Sequence, residues 1–185
     1  MESLPVPTFG DISKNTMFCM PMVQVDIPEF QTPTFPIDKE YVDSGRYTLF
    51  MSFVEGDATH EVAKAALNRL DEHLKNAAQE RWEEWFGVPA PSEIPIKISS
   101  ASFAVKVAPG VPVYDPSKAF LGYATSALWA GKEVVALVEC TGAAFFGGRV
   151  GLGWKATQLM VFPPRNVVCG FTRFSGKCAS PLTQT

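Results

Sequence analysis

The chain has 185 residues, of which 46% are hydrophobic and 19% are charged. A chain of this size and composition is typical of one domain with a sizeable core, which excludes a disordered chain, a coiled coil and a collagen-like fibre. The absence of a run of about 18 apolar residues excludes a membrane-spanning helix. The N-terminal residues lack the basic and apolar regions of a secretory signal, so we expect a cytoplasmic protein.

The charges are divided unevenly between the two halves of the chain. Residues 1–93 hold 16 acidic and 7 basic side chains, whereas residues 94–185 hold 3 acidic and 9 basic ones. A cationic half is one of the few compositional signals for a polyanionic partner. An acidic helix followed by a sparsely charged β-rich segment explains the same asymmetry, so charge alone leaves both interpretations open.

The first elements in chain order are an irregular segment, a strand and a helix. Residues 1–44 contain six prolines and are predicted to form a Pro-rich N-terminal arm, because proline interrupts helices and confines strands to edges. Residues 45–54 alternate as a strand does. Residues 59–86 repeat apolar side chains at helical spacing, with Asp57 or Thr59 as the N-cap and Gly87 as the end.

The same helical spacing assigns the acidic side chains to the solvent-facing side of the helix. That set includes Asp71 and its neighbour Glu72. Two tryptophans near the end of the helix, Trp82 and Trp85, are assigned to core packing with one ring partly exposed.

The remainder of the chain is predicted to be β-rich. Short alternating segments are separated by Gly, Pro, Asp and Ser at residues 94–99, 102–108, 120–125, 133–140, 150–162 and 167–174. One strand, one long helix and then several strands predict an α+β domain, mainly β, built on a small barrel or curled sheet. The domain is expected to span residues 45–175, followed by a tail at residues 176–185.

The densest motif of the chain is a glycine-rich hairpin at residues 145–158. Gly147 and Gly148 fit a two-residue turn that follows Phe145 and Phe146 and precedes Arg149. Beyond the turn, glycines alternate with Trp154 and lead to Lys155. Aromatic rings stack on bases and basic groups contact phosphates, so the hairpin predicts single-stranded nucleic-acid binding; glycines that merely allow strand curvature are the structural alternative.

Further basic and aromatic residues accompany the hairpin in this half of the chain. The predicted nucleic-acid-binding residues are Lys106, Tyr123, Trp129, Lys132, Phe145, Phe146, Arg149, Trp154, Lys155, Arg165 and Arg173.

The sequence offers little for catalysis. It has no close Cys or His pairs for zinc, no GxSxG or HExxH motif, and only 3 acidic residues in the β-rich half, so we predict no metal, no cofactor and no enzymatic activity. A thiol enzyme that pairs Cys140 or Cys169 with His60 or His73 is kept as an alternative, because such pairs meet only in space.

The order of elements, together with residues 129–135 (WAGKEVV) and 150–158 (VGLGWKATQ), resembles the OB-fold single-stranded DNA-binding proteins of tailed bacteriophages, the phage T7-like family. The resemblance covers residues 45–162 in element order. It implies an OB-like antiparallel barrel with one long inserted helix that coats single-stranded DNA in the host cytoplasm during replication or recombination, with strand annealing as an extension. Arg149, Lys155 and either Phe145 or Phe146 carry the family's binding role over to this chain.

The C-terminal residues depart from the family pattern. Members end in an acidic tail that contacts replication enzymes, whereas residues 177–185 contain no acid. Recruitment of replication proteins is therefore in doubt, while RNA binding and homo-oligomer formation stay open. A structural or assembly protein, such as a virion component, is the alternative of a different class.

Overall fold

The computed structural model describes residues 4–15, 20–43, 46–95, 102–124, 131–146 and 149–162. These residues contain one helix, α1, and ten strands in one sheet. In chain order the elements are β1 (Thr8–Asn15), β2 (Met20–Asp26), β3 (Phe30–Gln31), β4 (Phe35–Asp43), β5 (Arg46–Ser52), α1 (Ala58–Phe86), β6 (Ser102–Val107), β7 (Pro112–Tyr114), β8 (Phe120–Tyr123), β9 (Glu133–Phe146) and β10 (Arg149–Phe162).

Five of the strands close a barrel. β4 pairs antiparallel with β5, and β5 pairs antiparallel with β6. β6 then pairs parallel with β10, β10 pairs antiparallel with β9, and β9 pairs with β4, which completes the circle. A small, partly open five-stranded barrel is the architecture of the OB-fold. The predicted class is confirmed: an α+β chain, mainly β, with an OB-like barrel and one long inserted helix in the part that the structure describes.

The barrel is weakest where β6 meets β10. In the described residues, these two strands share one register pair, Lys106 with Lys155. β10 continues past this point and pairs with β7 instead, whose other edge carries β8. The strand segments on the N-terminal side of the Lys106–Lys155 pair therefore face each other without a ladder, which leaves a split in the wall.

Helix α1 is fixed at both of its ends. The Asp57 carboxylate caps it by accepting from the backbone N–H groups of Thr59 and His60, and Gly87 ends it in the left-handed conformation at φ 67°. His60 is buried, accepts at Nδ1 from the Val54 N–H at 2.9 Å, and donates from Nε2 to the Thr34 carbonyl oxygen at 2.8 Å. Both ring nitrogens are thereby used to hold the start of the helix against the sheet.

The Pro-rich segment is part of the sheet, which corrects the prediction of an arm and the domain boundary at residue 45. β2, β3 and β4 all pair antiparallel with β9, at successive places along its 14-residue length. Pro28 and Pro33 lie in the connections between strands, where no ladder hydrogen bond is needed, whereas Pro21 and Pro36 are the second residues of β2 and β4. Long strand β9 supplies the pairing edge that local sequence patterns do not reveal.

The remaining predicted strands divide into confirmed ones and ones that lie outside the described residues. β5, β6, β8, β9 and β10 confirm the predicted strands, with β9 extending to Phe146, and β7 was not predicted. The predicted strand at residues 94–99 falls largely on residues that are not described, and the strand at 167–174 and the tail at 176–185 lie wholly outside them.

Candidate nucleic-acid interface

One row of directly opposed residues crosses the outer face of the barrel. Tyr41 on β4 opposes Thr48 on β5, and Thr48 opposes Lys106 on β6. Lys106 opposes Lys155 on β10, and Lys155 opposes Glu139 on β9. Opposed residues share a face and neighbouring strands lie about 4.8 Å apart, so Tyr41 and Lys155 are separated by about 14 Å across the sheet. We refer to these five residues as the outer row.

The outer row borders a cavity of about 500 Å³. Its strand walls come from β6 and β10, and Leu67 and Asp71 of α1 form another wall. Consecutive residues of β10, which point alternately inward and outward, all line it from Arg149 to Trp154. The cavity therefore lies at the split between β6 and β10, with α1 along one side.

Three of the predicted cations lie at this place but differ in their pairing. Lys106 and Arg149 are exposed, line the cavity, and have no ion pair within the described residues. Lys155 is bound to the Glu139 carboxylate at 2.5 Å, with both side chains 41–44% exposed. An exposed pair of this kind is worth at most about 1 kcal/mol, so a phosphate competes with Glu139 for Lys155 but meets Lys106 and Arg149 unpaired.

Exposed aromatic rings lie on either side of these cations. Tyr123 on β8 is 61% exposed and packs edge-to-face on Phe120, whose ring in turn packs on Tyr114. These rings lie on the outer face of the sheet, because Val113 of β7 and the opposed Leu159 of β10 are buried on its inner face. Tyr41, at the other end of the outer row, is 63% exposed. The sequence analysis missed Tyr41 because it lies in the segment that was interpreted as an arm.

Trp154 is a core residue, which corrects its prediction as a binding residue. Its side chain is 7% exposed and packs edge-to-face against Phe30 at 5.4 Å and Phe103 at 5.6 Å between ring centroids. Side chains along β10 point alternately into the barrel and outward, and Trp154 is one of those that point inward. Its ring contributes to the floor of the cavity and is not available as an outer stacking platform.

Phe145 is likewise committed to packing. Its half-buried ring contacts Trp82, Trp85 and Phe86 at the end of α1, with a centroid separation of 4.5 Å to Phe86. This aromatic cluster fastens the helix to the β9–β10 hairpin, as expected for the two tryptophans. Phe145 is therefore removed from the candidate interface.

Of the other predicted residues, the structure describes the side chain of Lys132 alone, and Lys132 is not brought to the outer row. Lys132 precedes β9 by one residue and lies seven positions from Glu139, about 23 Å along an extended chain. Phe146 ends β9, but its side chain is not among those described. Trp129, Arg165 and Arg173 lie outside the described residues.

Gly153 of the hairpin motif and Gly142, which opposes it on β9, have a structural role. A Cβ on Gly153 would collide with the Thr141 hydroxyl, which the β-bulge in β9 places over it. Gly142 adopts φ 110°, and a Cβ there would lie 2.7 Å from the Val23 carbonyl oxygen of β2. Both glycines therefore allow close packing between strands, and at Gly153 this supports the structural alternative and not a bare face.

Asp71 lies at the edge of the cavity, which corrects its assignment to the solvent-facing side. It lines the cavity with Lys106 and Arg149, and burial, followed by the charge of Glu72, raises the pKa of its carboxyl to about 7. A signal was present in the sequence, since Asp71 follows Leu67 by four residues and precedes Leu74 by three, and so borders the apolar stripe.

We expect the Asp71→Asn substitution to change how stability depends on pH. The folded protein keeps the Asp71 proton up to about pH 7, whereas an unfolded chain releases it near the ordinary value of 3.8, so the free energy of unfolding falls as pH rises between these values. The variant has no such loss, so its free energy of unfolding relative to that of the parent should rise by about 2 kcal/mol between pH 4.5 and 8. Urea unfolding of both proteins at the two pH values measures the difference, and an equal difference at both would contradict the assignment.

Little in the described residues suits nucleophilic or metal chemistry. Burial raises the pKa of the Cys140 thiol, which keeps it protonated, and His60 uses both ring nitrogens to anchor α1. No group of three metal-ligating side chains occurs among the residues that the structure describes. Cys169 lies outside them. In the same residues, no helix combines the length and apolar character that a membrane crossing needs.

Comparison with solved structures finds a similar barrel in gp2.5, a single-stranded DNA-binding protein encoded by bacteriophage T7. The two chains share one fold. The TM-score is 0.56 at 10% sequence identity, over 77% of this chain and 95% of the gp2.5 chain. No protein-family model and no curated protein matches the sequence. At this identity the likeness to gp2.5 establishes the architecture, and the function is argued from the site itself.

Proposed function

We propose that the protein binds single-stranded DNA without sequence preference along the outer row, and that it does so without catalysing a reaction. The strand would be held by phosphate contacts to Lys106 and Arg149, with Lys155 released from Glu139. Tyr41 and Tyr123 would stack on bases at either side. The biological role that follows is protection of single strands in phage DNA replication or recombination, with membership of the phage T7-like family.

The observation that carries the proposal is the convergence, on one face of the sheet, of exposed rings with two cations that have no ion pair among the described residues. Lys106 and Arg149 are 43 residues apart in sequence, yet they border the same cavity. Rings such as Tyr41 and Tyr123 offer stacking worth about 1–3 kcal/mol per base, which every base can use. The fold shared with gp2.5, which its title describes as a single-stranded DNA-binding protein, supports the same conclusion.

The proposal is tested by equilibrium binding of a fluorescent oligo-dT across a salt series. Each phosphate contact to a single strand contributes about −0.7 to the slope of log affinity against log salt, so three cations predict a slope of about −2. Duplex DNA and RNA of the same length are measured beside it, and we expect the weakest binding to the duplex, whose bases are not free to stack.

Absence of oligo-dT binding at low salt would refute the proposal. A chain that self-associates in size measurements but ignores oligo-dT would instead be the structural or assembly protein considered from the sequence. Equal affinity for duplex and single strands would retain the phosphate contacts and reject the role of the tyrosines.

A further inference from the structure

The cavity beside the outer row has the size and lining of a small-ligand site. Its volume of about 500 Å³ falls within the roughly 300–1,000 Å³ of such sites. Phe103, Leu152 and Trp154 supply an apolar floor, whereas Lys106 and Arg149 provide the charges of the two strand walls. A planar, largely apolar group attached to a phosphate-bearing chain fits this combination.

Asp71 is the acceptor in this cavity that lacks a donor. Its side chain is half-buried, and in the described residues its carboxyl has no hydrogen bond and no ion pair. Because this carboxyl lines the cavity and no protein donor reaches it there, its oxygens can accept hydrogen bonds from a ligand in the cavity. The charged groups that face the cavity are Lys106 from β6 and Arg149 from β10, and Glu72 is the neighbouring acid on α1 itself.

We infer that the cavity receives one unstacked base of the bound strand, and that the Asp71 carboxylate reads this base by accepting hydrogen bonds from its edge. This inference rests on the proposed function. It gives an otherwise unselective protein a preference at one nucleotide. The bound strand runs past Lys106 and Arg149, so one base can turn into the split while its flanking phosphates stay with the cations.

The chemistry of the bases sets the order of preference. Guanine presents N1–H and N2–H side by side, so an ionised carboxylate can accept both. Thymine presents one N3–H between two carbonyl oxygens, which repel the carboxylate. Inosine keeps the N1–H of guanine and its ring shape but lacks the N2 amino group. The expected order is therefore guanine, then inosine, then thymine, and it requires the ionised form of Asp71.

The test compares three oligo-dT strands of about 15 nucleotides that carry guanine, inosine or thymine at the central position. At about pH 8.5, above the pKa of about 7 for Asp71, we expect the guanine strand to bind about tenfold more tightly than the thymine strand, with inosine between them. At about pH 5.5 the carboxyl is protonated, so the ranking should shrink.

Two variants identify the residue responsible. Asp71→Asn should abolish the ranking at pH 8.5 while oligo-dT binding persists. Glu72→Gln removes the same charge from the adjacent exposed position and should keep the ranking, which separates reading of the base from a general change in charge.

Three outcomes would overturn the inference. The guanine preference could survive in Asp71→Asn, the parent protein could bind all three strands equally, or Asp71→Asn could tighten all three alike, in which case the carboxylate only repels phosphate. In each case the strands still bind, so the proposed function stands. Failure of the parent to bind any strand would instead refute the proposed function.

Discussion

Replacing Lys106 and Arg149 together with alanine should weaken binding to single-stranded DNA about 25-fold at 0.1 M salt. Both cations border the cavity without an ion pair in the described residues, so a phosphate gains a contact with each. Two lost contacts reduce the steepness of log affinity against log salt by about 1.4. Between 1 M and 0.1 M salt the variant therefore gains about 1.4 fewer decades of affinity than the parent. Fluorescence anisotropy with labelled oligo-dT over that salt range measures both quantities.

The matched control exchanges the two cations without removing charge. Lys106→Arg with Arg149→Lys should keep the salt slope of the parent, because single-strand phosphates are contacted mainly through charge. Both side chains are exposed, so neither double variant should change the free energy of unfolding by more than about 0.5 kcal/mol. A double alanine variant that folds and binds with an unchanged slope would remove the split between β6 and β10 from the interface.

Replacing Trp154 with alanine should destabilise the protein by about 3–5 kcal/mol. The ring is buried between Phe30 and Phe103, and its removal leaves a cavity at the centre of the barrel. Such a loss is a large fraction of the total stability of a domain. Denaturant unfolding followed by circular dichroism should show a lower midpoint with little change in slope.

The contrasting variants separate a core role from a binding role. Trp154→Phe should lose less stability and bind oligo-dT as the parent does. Tyr123→Ala should keep its stability, since the ring is 61% exposed, and weaken binding about tenfold through the lost stacking. If Trp154→Phe folded normally and failed to bind, the assignment of Trp154 to the core alone would be wrong.

Local patterns predicted the elements of this protein well. Helix α1 was predicted within one residue of its start, because an N-cap, an apolar stripe and a terminating glycine are encoded in adjacent residues. β6 and β10 were predicted from period-two alternation, which places the adjacent residues Trp154 and Lys155 on opposite faces of β10. The binding assignment of Trp154 then failed because it relied on residue type and disregarded that alternation.

The arrangement of the site was decided by pairings between distant residues. The prolines in residues 1–44 indicate only where the local backbone is restricted. Whether this segment joins the sheet depends on pairing of β2, β3 and β4 with the distant strand β9. Tyr41 is aligned with Lys106 through β5, and Asp71 borders the same cavity as Arg149 only because α1 lies beside the split in the barrel. Sequence alone therefore determined helix α1 and the strands β5, β6, β8, β9 and β10, since their signals act within a few residues. Tertiary structure decided which cations stay unpaired and which carboxyl is desolvated, because register, ion pairing and burial depend on residues far apart in the chain.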